Sequence, residues 1–118
     1  MNVRVTTVLA ASVLVLGTAG IAAAHTALRS SSPASGATVM RSPTVVVLTF
    51  NEPIRPRKVT VLDRRSVNLV ATVTRDRRDT RRVRVRVRRG VPGVYRVSWT
   101  VAGADGHLVR GAYTFRVR

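Results

Sequence analysis

The stretch RRVRVRVRR, residues 81–89, sets arginine and valine in strict alternation. Successive side chains of an extended chain point to opposite faces, so Val83, Val85 and Val87 share one face and Arg82, Arg84, Arg86 and Arg88 the other. A helix would scatter those charges around its whole surface; a strand separates them. The same period of two runs along most of the chain from residue 44, and no stretch shows the period of an amphipathic helix. TVVVLTF (44–50) reads as a strand. KVTVLD (57–62) alternates, with Val59 and Val61 together. VNLVATV (67–73) groups Val67, Leu69, Ala71 and Val73. VYRVSWTV (94–101) groups Tyr95, Val97, Trp99 and Val101, and VRGAYTFRV (109–117) groups Val109, Tyr113, Phe115 and Val117. A first short strand is expected over Ala27–Ser31. Turn signals fall between these runs, at SPASGA (32–37), NEPIRP (51–56), DRRS (63–66), RDRRD (75–79), GVPG (90–93) and GADG (103–106). Together they predict an all-β fold: a seven-stranded antiparallel Greek-key β-sandwich or barrel.

Residues 1–24 follow a different rule. MNVRVTTVLAASVLVLGTAGIAAA carries one early positive charge, Arg4, then an apolar run from Val8 to Leu16, then Ala22-Ala23-Ala24. That is the pattern of a secretory signal with an A-x-A cleavage site, and the apolar run is shorter than the ~20 residues of a membrane span. The expected organisation is a signal peptide over 1–24, followed by one exported domain over 25–118. Cleavage after Ala24 makes His25 the new N-terminus.

The chain has no cysteine, which excludes disulfides, thiolate metal sites and thiol catalysis. Its 118 residues carry a formal net charge of +16, almost all of it arginine. Such charge favours contact with polyanions, an anionic membrane or wall surface among them; a solvated face is the plainer reading of the Arg-Val ladder. Outward arginines also discourage edge-to-edge pairing. The aromatics sit at core-facing positions, so the ladder lacks platforms for bases and no specific nucleic-acid binding is expected.

Only two histidines occur, His25 and His107. A terminal His25 offers an α-amine and an imidazole Nδ1 that close a chelate ring on one metal ion, although on its own it is also simply the residue beyond the cut. His107 stands two residues after Asp105, in GADGH. Asp105-Gly106 suits a hairpin turn. On an extended segment, residues i and i+2 share a face, so Asp105 and His107 can reach one ion. If the N-terminal strand runs along that end of the sandwich, three nitrogens and one oxygen form a square. A sulfur-free tetragonal set suits Cu(II), whereas Zn(II) prefers a tetrahedron.

These residues resemble the CopC family of exported copper-resistance proteins, also described as CopC/YobA/PcoC-like. HTALRSSSPASGATV (25–39) is similar to the family's histidine and SxPA-G opening. VVVLTFNEPIRP (45–56) is similar to its L-F-EP segment, and GVYRVSWTVAGADGHLVRGAYTFRV (93–117) to its DGH hairpin and closing strand. The resemblance implies a seven-stranded Greek-key sandwich and a periplasmic or otherwise extracytoplasmic monomer. It implies one Cu(II) per chain, with metal ligands His25, Asp105 and His107. Glu52 matches an acidic position near the copper, as a weak or outer ligand, where the bland alternative is a loop residue paired with an arginine. It further implies a CopD-like membrane copper transporter as partner, with copper buffering, resistance or delivery as the role.

The chain departs from the family's pattern in three places. Ala104 replaces the serine before DGH and removes a hydroxyl beside the site. Only Met1 and Met40 are present, too few for a Met-rich Cu(I) site. The positive charge is unusual for the family. No catalytic set is visible, so the expected protein is not an enzyme. The competing readings are a basic exported module that binds anionic surfaces and, more distantly, a histidine-brace copper monooxygenase.

Overall fold

The computed structural model describes Asn2 and residues 26–118. The expected signal segment, apart from Asn2, and the predicted ligand His25 lie outside the described residues. Eight strands follow in chain order: β1 (Leu28–Ser32), β2 (Thr38–Val39), β3 (Val45–Phe50), β4 (Ile54–Leu62), β5 (Val70–Arg75), β6 (Arg82–Val87), β7 (Gly93–Gly103) and β8 (Leu108–Val117). They form two four-stranded sheets, ordered β1-β3-β6-β5 and β2-β8-β7-β4. The chain passes between the sheets after most strands; only β5-β6 and β7-β8 are consecutive neighbours in one sheet. This is the expected all-β sandwich.

Alternation decides which side chains meet between the sheets. Val46, Leu48 and Phe50 of β3 and Val83, Val85 and Val87 of β6 face Val59 and Val61 of β4, Tyr95, Val97, Trp99 and Val101 of β7, and Tyr113, Phe115 and Val117 of β8. All five aromatic residues of the chain lie in this layer. Phe50 meets Trp99 edge-on across the two sheets, with centroids 6.1 Å apart and planes at 78°, a favoured aromatic geometry. The indole of Trp99 lies against the backbone of Gly111, its partner on β8, where a side chain would collide with the ring. Val109 and Leu28 pack against the rim of this core.

Three sequence expectations need correction. The sequence predicted seven strands; an eighth, β2, pairs in parallel with Arg116 and Val117 of β8. Two residues cannot display a period, so nothing in the sequence announced it. NEPIRP was expected as a turn throughout, but β4 begins at Ile54. Pro56 is tolerated because β4 is an edge strand and its register slips between Pro56 and Lys58. In VNLVATV only Leu69 is buried, while Val67 and Val73 keep 44% and 36% exposure. Leu69 precedes the strand and bonds across to Val61, a register shift follows between Val70 and Thr72, and Val73 lies on an edge strand with incomplete cover.

One carboxylate is embedded in the fold. The side chain of Asp63, fully enclosed at the end of β4, accepts hydrogen bonds from Nε and Nη2 of Arg65 at 3.1 and 2.8 Å and from the Arg65 backbone at 2.9 Å. The Arg65 guanidinium is the main reason its pKa falls to about 2, with the backbone N–H groups of Val91 and Val67 adding to the effect. A depressed carboxylate contributes stability that is fully present above its unfolded pKa of ~3.9 and is lost as pH falls through the folded value.

Two outcomes are expected. Phe50→Ala should lower the unfolding free energy by ~3–5 kcal/mol in urea titration, because it removes a fully buried ring from a close-packed layer. Asp63→Asn should be less stable than the parent at neutral pH, and the difference should shrink as pH is lowered from about 4 to about 2, followed by thermal melts.

Candidate metal centre

The β7-β8 hairpin is built around a tight reversal. Its last strand pair is Ala102 with Leu108. Gly106 N–H donates to the Gly103 carbonyl at 2.9 Å and Gly103 N–H to the His107 carbonyl at 3.0 Å. Gly106 has φ +82°, a conformation that glycine takes without steric cost. The turn therefore fixes both neighbours of that glycine, Asp105 and His107.

Those two side chains lock onto each other. Asp105 Oδ1 accepts the His107 backbone N–H at 3.0 Å, and Oδ2 lies 2.7 Å from His107 Nδ1. The contact with the His107 ring is the main cause that holds the Asp105 carboxyl below its ordinary pKa, and the His107 backbone N–H adds to it. An ionised carboxylate only accepts hydrogen bonds, so Nδ1 is the donor in this contact, and Nε2 is the ring nitrogen left for a metal ion. This is the arrangement by which carboxylates orient metal-binding imidazoles. Both side chains are exposed, and the pair needs no enclosing cavity to reach an ion.

Two more segments converge on the base of this hairpin. Leu28 pairs with Phe50, which draws the N-terminal segment along β3. Ala27 N–H donates to Asn51 Oδ1 at 2.9 Å, and Asn51 N–H returns a bond to the Ala27 carbonyl at 3.0 Å. Thr26 is buried, and its hydroxyl donates a short hydrogen bond to Glu52 Oε1. All three groups surround Gly103. A Cβ there would lie 2.6 Å from Thr26 Oγ1, 3.2 Å from Glu52 Oε1 and 3.3 Å from Asp105 Oδ1. Glu52 thus sits at the hairpin rather than in an ion pair with an arginine.

Of the four predicted site residues, Asp105, His107 and Glu52 gather at one end of the sandwich, and His25 lies outside the described residues. Among the described residues, no three His, Cys, Asp or Glu side chains form a metal-sized cluster. Sequence reasoning missed Thr26, Asn51 and Gly103. Thr26 had no signal beyond its place next to His25, and Gly103 was read as a turn residue, whereas its importance is the absence of a side chain. Arg55 and Arg75 flank a small cleft that also touches Gly103 and Ala104. A larger groove, of about 500 Å³, lies elsewhere, on the outer face of the β2-β8-β7-β4 sheet. Pocket size is no guide to a metal site made from a surface hairpin.

Known proteins share this architecture. CopC from Methylosinus trichosporium OB3b superposes with a TM-score of 0.72 at 28% identity, covering 79% of this chain and 93% of that one. PcoC from Escherichia coli, a methionine-rich copper resistance protein, superposes with a TM-score of 0.64 at 29% identity, covering 80% of this chain and all of that one. Protein YobA of Escherichia coli K12 is 30% identical over 100 residues, 80% of each chain. The CopC domain profile matches residues 28–118, from β1 to the last residue. By sequence and by fold, the chain belongs to the CopC family.

Proposed function

We propose that this protein is an exported carrier that holds one Cu(II) ion at the hairpin end of the sandwich. Family membership and relatives that include copper-resistance proteins support a role in copper handling. The observation that carries the finer reading is the seat of Thr26 against Gly103, Glu52 and Asp105. The residue covalently attached before Thr26 is His25, and adjacent Cα atoms are only ~3.8 Å apart. Removal of residues 1–24 would therefore free an α-amine and an imidazole beside the Asp105–His107 pair.

In this reading the α-amine and Nδ1 of His25 supply two nitrogens and Nε2 of His107 a third. Asp105 can turn one oxygen to the ion or remain behind the His107 ring. Glu52 stands nearby, held by Thr26, and offsets part of the charge of Arg55 and Arg75. A nitrogen-rich tetragonal set retains Cu(II) and disfavours the softer Cu(I), which prefers thioethers. Met40 is the sole methionine after the expected cleavage. The monomer would buffer Cu(II) outside the cytoplasm and pass it to a membrane copper importer of the CopD type.

The test is to express the whole chain with residues 1–24, recover the exported product, and titrate it with Cu(II). Intact mass should begin at His25, with one Cu(II) per chain and a nitrogen-rich tetragonal EPR signal that His107→Ala removes. A product that begins elsewhere, or copper binding indifferent to His107→Ala, would overturn the reading. Gly103→Ala should weaken Cu(II) by ~10–100-fold, as loss of support behind metal ligands typically does. The new methyl would crowd Thr26 Oγ1, Glu52 and the ligand Asp105 at the base of the hairpin while leaving both histidines in place.

A further inference from the structure

The outer face of the β2-β8-β7-β4 sheet carries a groove that the copper site does not use. Strand register lays out its floor. Thr60, Ser98 and Ala112 stand side by side on β4, β7 and β8 and form a row of small side chains. On one side the next outward row is Lys58, Thr100 and Arg110; on the other, Arg96 rises between Leu62 and Thr114. Arg96 and Thr100 are four residues apart on β7, roughly 13 Å of extended strand. The result is a trough of about 500 Å³ with a low hydroxyl-bearing floor and three cationic side chains on its two walls.

Three properties define what such a trough can hold. It is purely cationic: the chain's five acidic residues are Glu52, Asp63, Asp76, Asp79 and Asp105, and none lines it. Asp76 and Asp79 instead pair with Arg81, Arg82 and Arg84 around the opposite sheet. It is open at both ends. β4 is an edge strand, and β2 covers β8 only at Arg116 and Val117, so among the described residues no strand closes the row beyond Thr60 or beyond Ala112. The one aromatic residue along it, Trp99, is only 8% exposed, with its indole packed against the Gly111 backbone, so it leaves little open ring face as a platform.

We infer that this groove binds a linear phosphodiester polymer without bases, such as a polyol-phosphate chain. The open ends admit a continuous chain, and the single row of small side chains between the cationic rows suits a thin backbone better than a polymer of sugar rings. Guanidinium groups form paired hydrogen bonds to non-bridging phosphate oxygens, Lys58 adds a point charge, and Thr60, Ser98 and Thr100 supply hydroxyl donors. Nucleic acid would bind there only through its phosphates, with no base to stack.

The experiment measures binding of the mature chain to a fluorescent poly(glycerol phosphate) oligomer across a salt series. It compares two triple variants with equal charge loss. Lys58→Gln/Arg96→Gln/Arg110→Gln removes the groove cations, and Arg86→Gln/Arg88→Gln/Arg89→Gln removes exposed arginines of the other sheet. Urea melts establish that both are folded. The groove variant should bind at least tenfold more weakly at physiological salt. Its log K against log salt slope should be shallower by about 2–3, the loss expected for three phosphate contacts. The other variant should stay within about threefold of the parent, a change of under ~0.7 kcal/mol. Equal losses in both variants would overturn the groove in favour of diffuse attraction. Failure of the parent to bind the oligomer, or tighter groove-dependent binding to anionic phospholipid vesicles or to a carboxylate polysaccharide, would overturn the phosphodiester assignment.

Discussion

Without a cysteine, the two sheets are held together by the side chains that fill the space between them, and the edge-on contact of Phe50 with Trp99 ties that core to the hairpin end. Phe50 ends β3, one residue before Asn51 and two before Glu52. Trp99 lies on β7, four residues before Gly103. Fixing one ring against the other therefore sets the distance between the loop that carries Glu52 and the hairpin that carries Asp105 and His107. Leu28, paired with Phe50, brings the N-terminal segment into the same frame. Three segments remote in sequence meet because one aromatic pair and one strand register require it.

Close approach completes the arrangement. Gly111 lets the Trp99 indole lie on the strand backbone, and Gly103 lets a hydroxyl and two carboxylates crowd the base of the hairpin. Both glycines matter for the space they leave. The Asp105–His107 contact then does locally what the core does globally, because it orients the imidazole ring. A preoriented imidazole loses less freedom on binding. Charge is distributed on a different plan, with Glu52 and Asp105 at the hairpin end, Asp76 and Asp79 around β5-β6, Asp63 enclosed after β4, and the outer face of β4, β7 and β8 left cationic.

Much of this was legible in the chain itself. Val83, Val85 and Val87 against Arg82, Arg84 and Arg86 announced β6 and its inward face, and the apolar sets of β7 and β8 were read correctly. Asp105 and His107 were recognisable because a turn glycine between an acid and a histidine leaves both side chains on one edge. The failures have physical causes. β2 is too short to show a period. The face of VNLVATV was misread because a register shift after Val70 and an edge position override simple alternation. Thr26 and Gly103 were missed because their roles exist only where distant segments touch, and no local pattern encodes that contact.

The most direct measurement of the central claim is the Cu(II) affinity and EPR spectrum of residues 25–118 beside the same chain with one glycine added before His25. The extension keeps every side chain, the hairpin and the core, but moves the α-amine away from the His25 imidazole. The account predicts a large loss of affinity and one fewer nitrogen in the copper spectrum. Equal affinity with an unchanged spectrum would contradict it, because the ion would then be held without the N-terminal chelate.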